Sequence, residues 1–307
     1  MMSIGSKFSG LIKPLNINSN VRLNLKDSQK ITTGKYLIDN VREGYSLIEK
    51  ETLMKTKYLI LTKNSNETAK KAIYYIHGGF YTEGLTTTYE SFIYPLCDLR
   101  NDIEIYLLDY SLAPKNTYPT QLNEAQDVWN EILKKYTPND IIIGSDSSGG
   151  NIALSLIQRI DERLFPKASF FISPWTDMTC SGKSYFNNYQ KDITFGDVNS
   201  KLTKAKLIEF KNSKMYSFIG NANRDDPLVS PLFGNYKFFP KSLFIVGGNE
   251  MLLDDTLKIV EKIKIKGNEV ELMNKENMSH NFPLYLNFIP EANEAYKKIK
   301  DFILESF

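Results

Sequence analysis

Ile141-Ile142-Ile143-Gly144-Ser145-Asp146-Ser147-Ser148-Gly149-Gly150-Asn151-Ile152-Ala153-Leu154 is the stretch that decides the fold. It opens as a short, apolar, β-branched run, the pattern of a buried strand. From Asn151 to Ile160 the apolar residues Ile152, Leu156 and Ile160 recur every four positions, the pattern of one helix face. Only a few small residues separate strand from helix, with a serine in their middle. A strand-to-helix turn this tight forces its central residue out at the carboxyl end of the sheet. There it lies exposed beside the positive end of the following helix, where negative charge is stabilised. The stretch therefore has the form of a nucleophile elbow, and the rest of the chain should supply a base, an acid and an oxyanion hole.

Strands and helices alternate outward from this stretch. Tyr58–Leu61, Ala72–Ile76, Ile103–Leu108, Ala168–Ile172, Leu243–Val246 and Val270–Met273 read as strands. Thr88–Arg100, Thr120–Lys135, a segment from Asp254 to Gly267, and Glu291–Phe307 read as helices. Such alternation predicts an α/β fold with a mainly parallel sheet covered on both faces. Two regions depart from it. Residues 1–50 are polar with weak periodicity (Leu37, Val41, Tyr45, Ile48) and read as short helices rather than strands. Residues 185–225 are lysine-rich and helical in pattern, with Leu202, Ala205 and Ile208 three apart, as an inserted lid would be.

At 307 residues and 42% hydrophobic content, the chain can bury one large core. A formal charge of +2 gives no reason to expect nucleic acid or an anionic membrane as partner. Two cysteines, Cys97 and Cys180, are too few for a disulfide framework and fit a reducing compartment. With no run of signal-peptide character and no spanning stretch, the expectation is a soluble, cytoplasmic protein without stable membrane insertion.

The chain has two histidines, His77 and His280, so the search for a general base is short. His280 follows the last strand, in a loop at the carboxyl edge of the sheet, where open α/β folds bind ligands. The acid should fall between serine and histidine in chain order. Glu250 stands in the loop leaving Val246, whereas Asp254 and Asp255 stand where a helix would be capped. Glu250 is therefore the first candidate for the acid and Asp254 the fallback. The glycines of His77-Gly78-Gly79 let backbone N–H groups approach a carbonyl oxygen closely, and Ser148 offers another such donor. His77 itself is expected to brace this loop through hydrogen bonds.

These residues carry a resemblance. The chain resembles the hormone-sensitive-lipase-like α/β-hydrolase esterases, which include the arylacetamide deacetylases, over most of the stretch from Lys57 to Phe288. His77-Gly78-Gly79-Phe80-Tyr81 with Gly84 is similar to the family's oxyanion loop. Asp146-Ser147-Ser148-Gly149-Gly150-Asn151 is similar to its nucleophile motif. Asp109-Tyr110-Ser111-Leu112-Ala113-Pro114 with Tyr118-Pro119, Ser173-Pro174-Trp175-Thr176-Asp177 and Asp226-Pro227-Leu228-Val229-Ser230-Pro231 resemble further signatures. The resemblance implies an α/β-hydrolase fold with Ser147 as nucleophile, His280 as base and Glu250 at the acid position. A second register centred on Ser148 would put Asp146 in the cramped place, and the family register also selects Ser147.

Two residues depart from the family pattern. Ser145 stands two before the nucleophile, and Phe80 stands at the third oxyanion glycine, where its side chain restricts φ.

The resulting expectation is a serine carboxylic-ester hydrolase for short-acyl esters, with oxyanion donors from Gly78, Gly79 and Ser148. It needs no metal or cofactor, takes a small ester as partner, binds no nucleic acid, and leaves a homodimer open. Residues 51–184 and 226–307 would form the catalytic body, and 1–50 with 185–225 a helical cap. An amide deacetylase with the same triad, or a non-catalytic small-molecule receptor on the same fold, are the alternatives.

Overall fold

The computed structural model describes residue 37 and residues 41–65, 67–286 and 288–307. Eight strands form one sheet: β1 (Tyr45–Glu51), β2 (Lys57–Lys63), β3 (Lys71–Ile76), β4 (Ile103–Asp109), β5 (Ile141–Asp146), β6 (Ala168–Ile172), β7 (Lys241–Gly247) and β8 (Val270–Lys275). Their order across the sheet is β1-β2-β4-β3-β5-β6-β7-β8. β1 with β2 and β2 with β4 pair antiparallel, and every other neighbouring pair is parallel.

The helices are α1 (Glu90–Cys97), α2 (Thr120–Ile132), α3 (Ser147–Arg159), α4 (Ser184–Asn187), α5 (Lys204–Lys211), α6 (Leu253–Ile265) and α7 (Pro290–Ser306). Each expected strand and each helix of the alternating body is present.

β5 sits near the middle of the sheet and is buried along its whole length. Successive strand side chains face opposite ways, and the core divides accordingly. Ile141 and Ile143 join one hydrophobic layer with α2, α3 and α6, while Ile142 joins the other with α1 and α7. A strand covered on both sides tolerates an unbroken apolar run, which is why Ile141-Ile142-Ile143 does not alternate with polar residues.

The expectation of helices up to residue 50 is corrected. Tyr45–Glu51 is an antiparallel edge strand on β2. Its alternation is weak because it is half-buried to exposed, so no clear period-2 signal reached the sequence. The rest of that expectation, residues 1–36 and 38–40, lies outside the described residues. Between β6 and β7 the chain leaves the sheet for the segment carrying α4, α5 and a 3₁₀ stretch at Lys214–Ile219. Tyr185, Phe195, Leu202, Tyr216 and Phe218 of this segment are buried and continue the α3-side layer. No helix among the described residues is long and apolar enough to cross a membrane.

Candidate active site

The carboxyl ends of the parallel strands bring the site residues together. β3 leads into His77-Gly78-Gly79, β5 into Ser147, β6 into Ser173, β7 into Glu250 and β8 into the loop of His280. Asp146 is still extended, whereas Ser147 has a φ of 49° and opens α3. A left-handed serine is a strained conformation held by its surroundings. Gly149 shows how tightly the turn is pressed down. A Cβ there would lie 2.1 Å from the Ile76 carbonyl oxygen, so the first turn of α3 rests directly on the end of β3.

His280 Nε2 lies 2.9 Å from Ser147 Oγ, and His280 Nδ1 lies 2.9 Å from Glu250 Oε2. The carboxylate partner assigns the proton to Nδ1, leaving Nε2 to accept from the serine hydroxyl. Glu250 Oε1 accepts from Ser173 Oγ at 2.7 Å and from the Gly247 N–H at 2.6 Å. Burial pushes the Glu250 carboxyl above its ordinary value, against the hydrogen bonds from His280, Ser173 and Gly247. For His280, burial pulls downward. The hydrogen bond to Glu250 and the charges of Glu250, Asp192 and Asp146 outweigh it, so the imidazole ends above its ordinary value. The serine expected to be exposed is in fact 2% exposed, and His280 4%.

Asp254, the fallback acid, is elsewhere. Its carboxylate accepts from the Ser184 N–H. Neither it nor Asp255 caps the helix as expected, because both lie in the first turn of α6, after Leu252. Asp255 instead accepts from the Thr176 and Asp177 N–H groups.

The loop expected to supply oxyanion donors departs from expectation at one residue. The Gly78 N–H donates to Asp146 Oδ1 and to Tyr89 Oη, both at 3.0 Å, which takes it out of the donor set. Among the described residues, no acceptor pairs with the N–H groups of Gly79 or Phe80. The Ser148 N–H lies in the first turn of α3, where amides have no intrahelical acceptor. His77 braces the loop as expected. Its Nδ1 donates to the Gly78 carbonyl at 2.6 Å, and its ring stacks on Tyr110 at 4.3 Å. Burial lowers its pKa to about 4, which keeps it neutral.

Three further residues escaped sequence reasoning. Asp146 is a buried carboxylate serving four donors. Oδ1 accepts from Tyr75 Oη and the Gly78 N–H, and Oδ2 from Tyr89 Oη and Asn281 Nδ2. Ser173 Oγ accepts from the Asn281 N–H while donating to Glu250. Asp192, in the segment between β6 and β7, accepts from the Met251 N–H at 2.6 Å and holds the N–H groups of Thr194 and Phe195. The only trace of Asp192 in the sequence is the Asp-x-Thr turn pattern. Nothing in it reveals the distant Met251 partner.

Residues 73–284 match the family model described as the alpha/beta hydrolase fold. An esterase of Acinetobacter venetianus is 30% identical over 238 residues, spanning 76% of this chain and 75% of that protein. Esterase LipU of Mycobacterium tuberculosis is 27% identical over 243 residues, spanning 77% and 78%. Among solved structures, a hormone-sensitive lipase from a metagenome library superposes with a TM-score of 0.80 over 100% of both chains, at 24% identity.

Proposed function

The chain belongs to the esterases of the alpha/beta hydrolase fold, and from that premise we propose that it hydrolyses short-acyl carboxylic esters through a Ser147–His280–Glu250 triad. The observation that carries this reading is the unbroken line from Ser147 Oγ through both nitrogens of His280 to Glu250, with 2.9 Å at each junction.

His280 Nε2 takes the hydroxyl proton as Ser147 Oγ attacks the ester carbonyl carbon. Glu250 holds the imidazole in the Nδ1–H tautomer and stabilises its positive charge. The tetrahedral oxyanion is received by the N–H groups of Gly79, Phe80 and Ser148. Such preorganised donors are each worth about 10²–10³ in rate. The carbon–alkoxide bond then breaks, and His280 returns its proton to the departing alcohol. Water, deprotonated by the same His280, attacks the acyl-enzyme and releases the acid. Residues 185–225 act as a cap over this site, consistent with the burial of Ser147.

The test is turnover of p-nitrophenyl acetate, butyrate, hexanoate and octanoate by wild type and Ser147→Ala, with fluorophosphonate labelling of both. Wild type should turn over the short members and take up one label per chain, and Ser147→Ala should do neither. Wild type inert toward every ester, or full activity in Ser147→Ala, would overturn the reading.

A further inference from the structure

Phe80 stands at a backbone position that suits glycine. Its φ is 56°, and Tyr81 follows at 63°. A bulky side chain in the left-handed region persists only where its surroundings hold it, and the contacts of this ring show what holds it. Phe80 packs edge-on against Phe195 with centroids 5.4 Å apart. Phe195 packs edge-on against the His280 imidazole at 4.9 Å and touches Trp175 and Phe210 at 6.1 and 6.2 Å. Phe195 is only 7% exposed, whereas Phe80 is half-buried.

Nor is Phe195 on a loose flap. Its N–H is held at 3.0 Å by Asp192 Oδ1, and Asp192 Oδ2 is fastened to the Met251 N–H, one residue beyond Glu250. Asn188 Nδ2 adds bonds to the carbonyls of Gly248 and Glu250. The ring is therefore anchored to the same loop that carries the acid.

A substrate carbonyl must fit between the Phe80 N–H and His280, so both rings border the room left for its substituents. Building on the triad reading above, we infer that Phe80 and Phe195 form an aromatic gate that sets the size limit of the ester and holds this enzyme to small acyl groups. Phe80 is the residue that determines specificity. A glycine there would open the oxyanion side of the site, and Phe195 closes the side next to the imidazole.

The experiment measures kcat/KM for p-nitrophenyl acetate and octanoate in wild type, Phe80→Gly and Phe195→Leu, and compares the octanoate-to-acetate ratio within each protein. That ratio is internal to each variant, so a general loss of activity cancels. Glycine also accepts the φ of position 80, so Phe80→Gly removes backbone strain rather than adding it. A pocket that gains room for several methylenes should raise the ratio about tenfold or more in Phe80→Gly, with a rise in the same direction in Phe195→Leu. If Phe80→Gly loses acetate turnover, the ratio in Phe195→Leu decides alone. Ratios unchanged from wild type, or both rates falling in parallel, overturn the gate. Fluorophosphonate labelling of wild type separates this from a failure of the triad, since a labelled enzyme with an unchanged ratio has its triad but no gate.

Discussion

Gly78→Ala puts the packing of the His77-Gly78-Gly79 loop against Ser147, the proposed nucleophile, to a direct test. The N–H of Gly78 is already engaged, so this residue contributes space rather than a donor. A methyl group there would lie 2.4 Å from Asp146 Oδ2 and 2.9 Å from Ser147 Cβ. Ordinary contacts between such atoms lie near 3.5–4.0 Å, so roughly 1 Å of movement is required. Asp146 cannot swing aside cheaply, because each of its carboxylate oxygens accepts two hydrogen bonds. The displacement therefore falls on Ser147 or on the loop that carries the Gly79 and Phe80 amides. Misplacing a reacting group by about 1 Å costs on the order of 100-fold in rate, and overpacking of this kind costs about 1–3 kcal/mol of stability. The expected result is a fall of about 100-fold in kcat/KM on p-nitrophenyl acetate. Fluorophosphonate labelling should slow in parallel, and the melt followed by circular dichroism should drop by only a few degrees. A variant with wild-type kcat/KM and an unshifted melt would refute the close packing of Gly78 on Ser147.

Three other outcomes follow from the geometry. In Glu250→Gln the amide oxygen stays with its two donors, Ser173 Oγ and the Gly247 N–H, which turns the NH₂ toward His280 Nδ1. The imidazole is then held as the Nε2–H tautomer and cannot accept from Ser147. Steady-state kinetics should show kcat lowered by about 10⁴ with little change in the melt. In the proposed triad His280 must be neutral to act as base, and its pKa is raised. Activity should therefore be gained as pH rises through a value above the ordinary 6.5 or so. Asp192→Asn removes one of the raising charges, so the acid limb of its kcat/KM profile should move to lower pH. A limb that stays in place would argue against Asp192 acting on the imidazole. Finally, the rings of Tyr81 and Phe218 stack 3.7 Å apart at 9°, joining the oxyanion loop to the segment between β6 and β7. A double-mutant cycle with alanine, read by thermal unfolding, should give a coupling of about 0.5–1.5 kcal/mol.

The sequence makes the alternating body and the Ser147–His280 pairing legible for different reasons. The strands announce themselves because burial on both faces demands long apolar runs, as in Ile141-Ile142-Ile143. His280 is found because a chain with two histidines leaves little choice once position along the sheet is considered. Glu250 is separable from Asp254 only by its place before the helix rather than in it.

What stays hidden is whatever depends on backbone partners distant in sequence. The Gly78 N–H meets a carboxylate 68 residues away, and Asp192 meets an amide 59 residues away. Neither contact leaves a periodic trace. β1 is missed because an exposed edge strand pairs through its backbone and needs little apolar patterning. The burial of Ser147 is missed because an elbow serine stands proud of its own sheet, and Phe195, whose ring packs on the His280 imidazole, comes from a segment without strand rhythm.

The carboxylate of Asp146 has a bearing on engineering. It clasps the nucleophile turn it belongs to, the oxyanion loop through Gly78, and the histidine loop through Asn281, with Tyr75 and Tyr89 as the remaining strands of the knot. Three loops drawn from β3, β5 and β8 thus share one fastening. Grafting one of them from a relative keeps the fastening only where the incoming loop brings the matching group: a carboxylate at position 146, or a side-chain donor at position 281. Loop exchange in this enzyme should be checked first at those two positions.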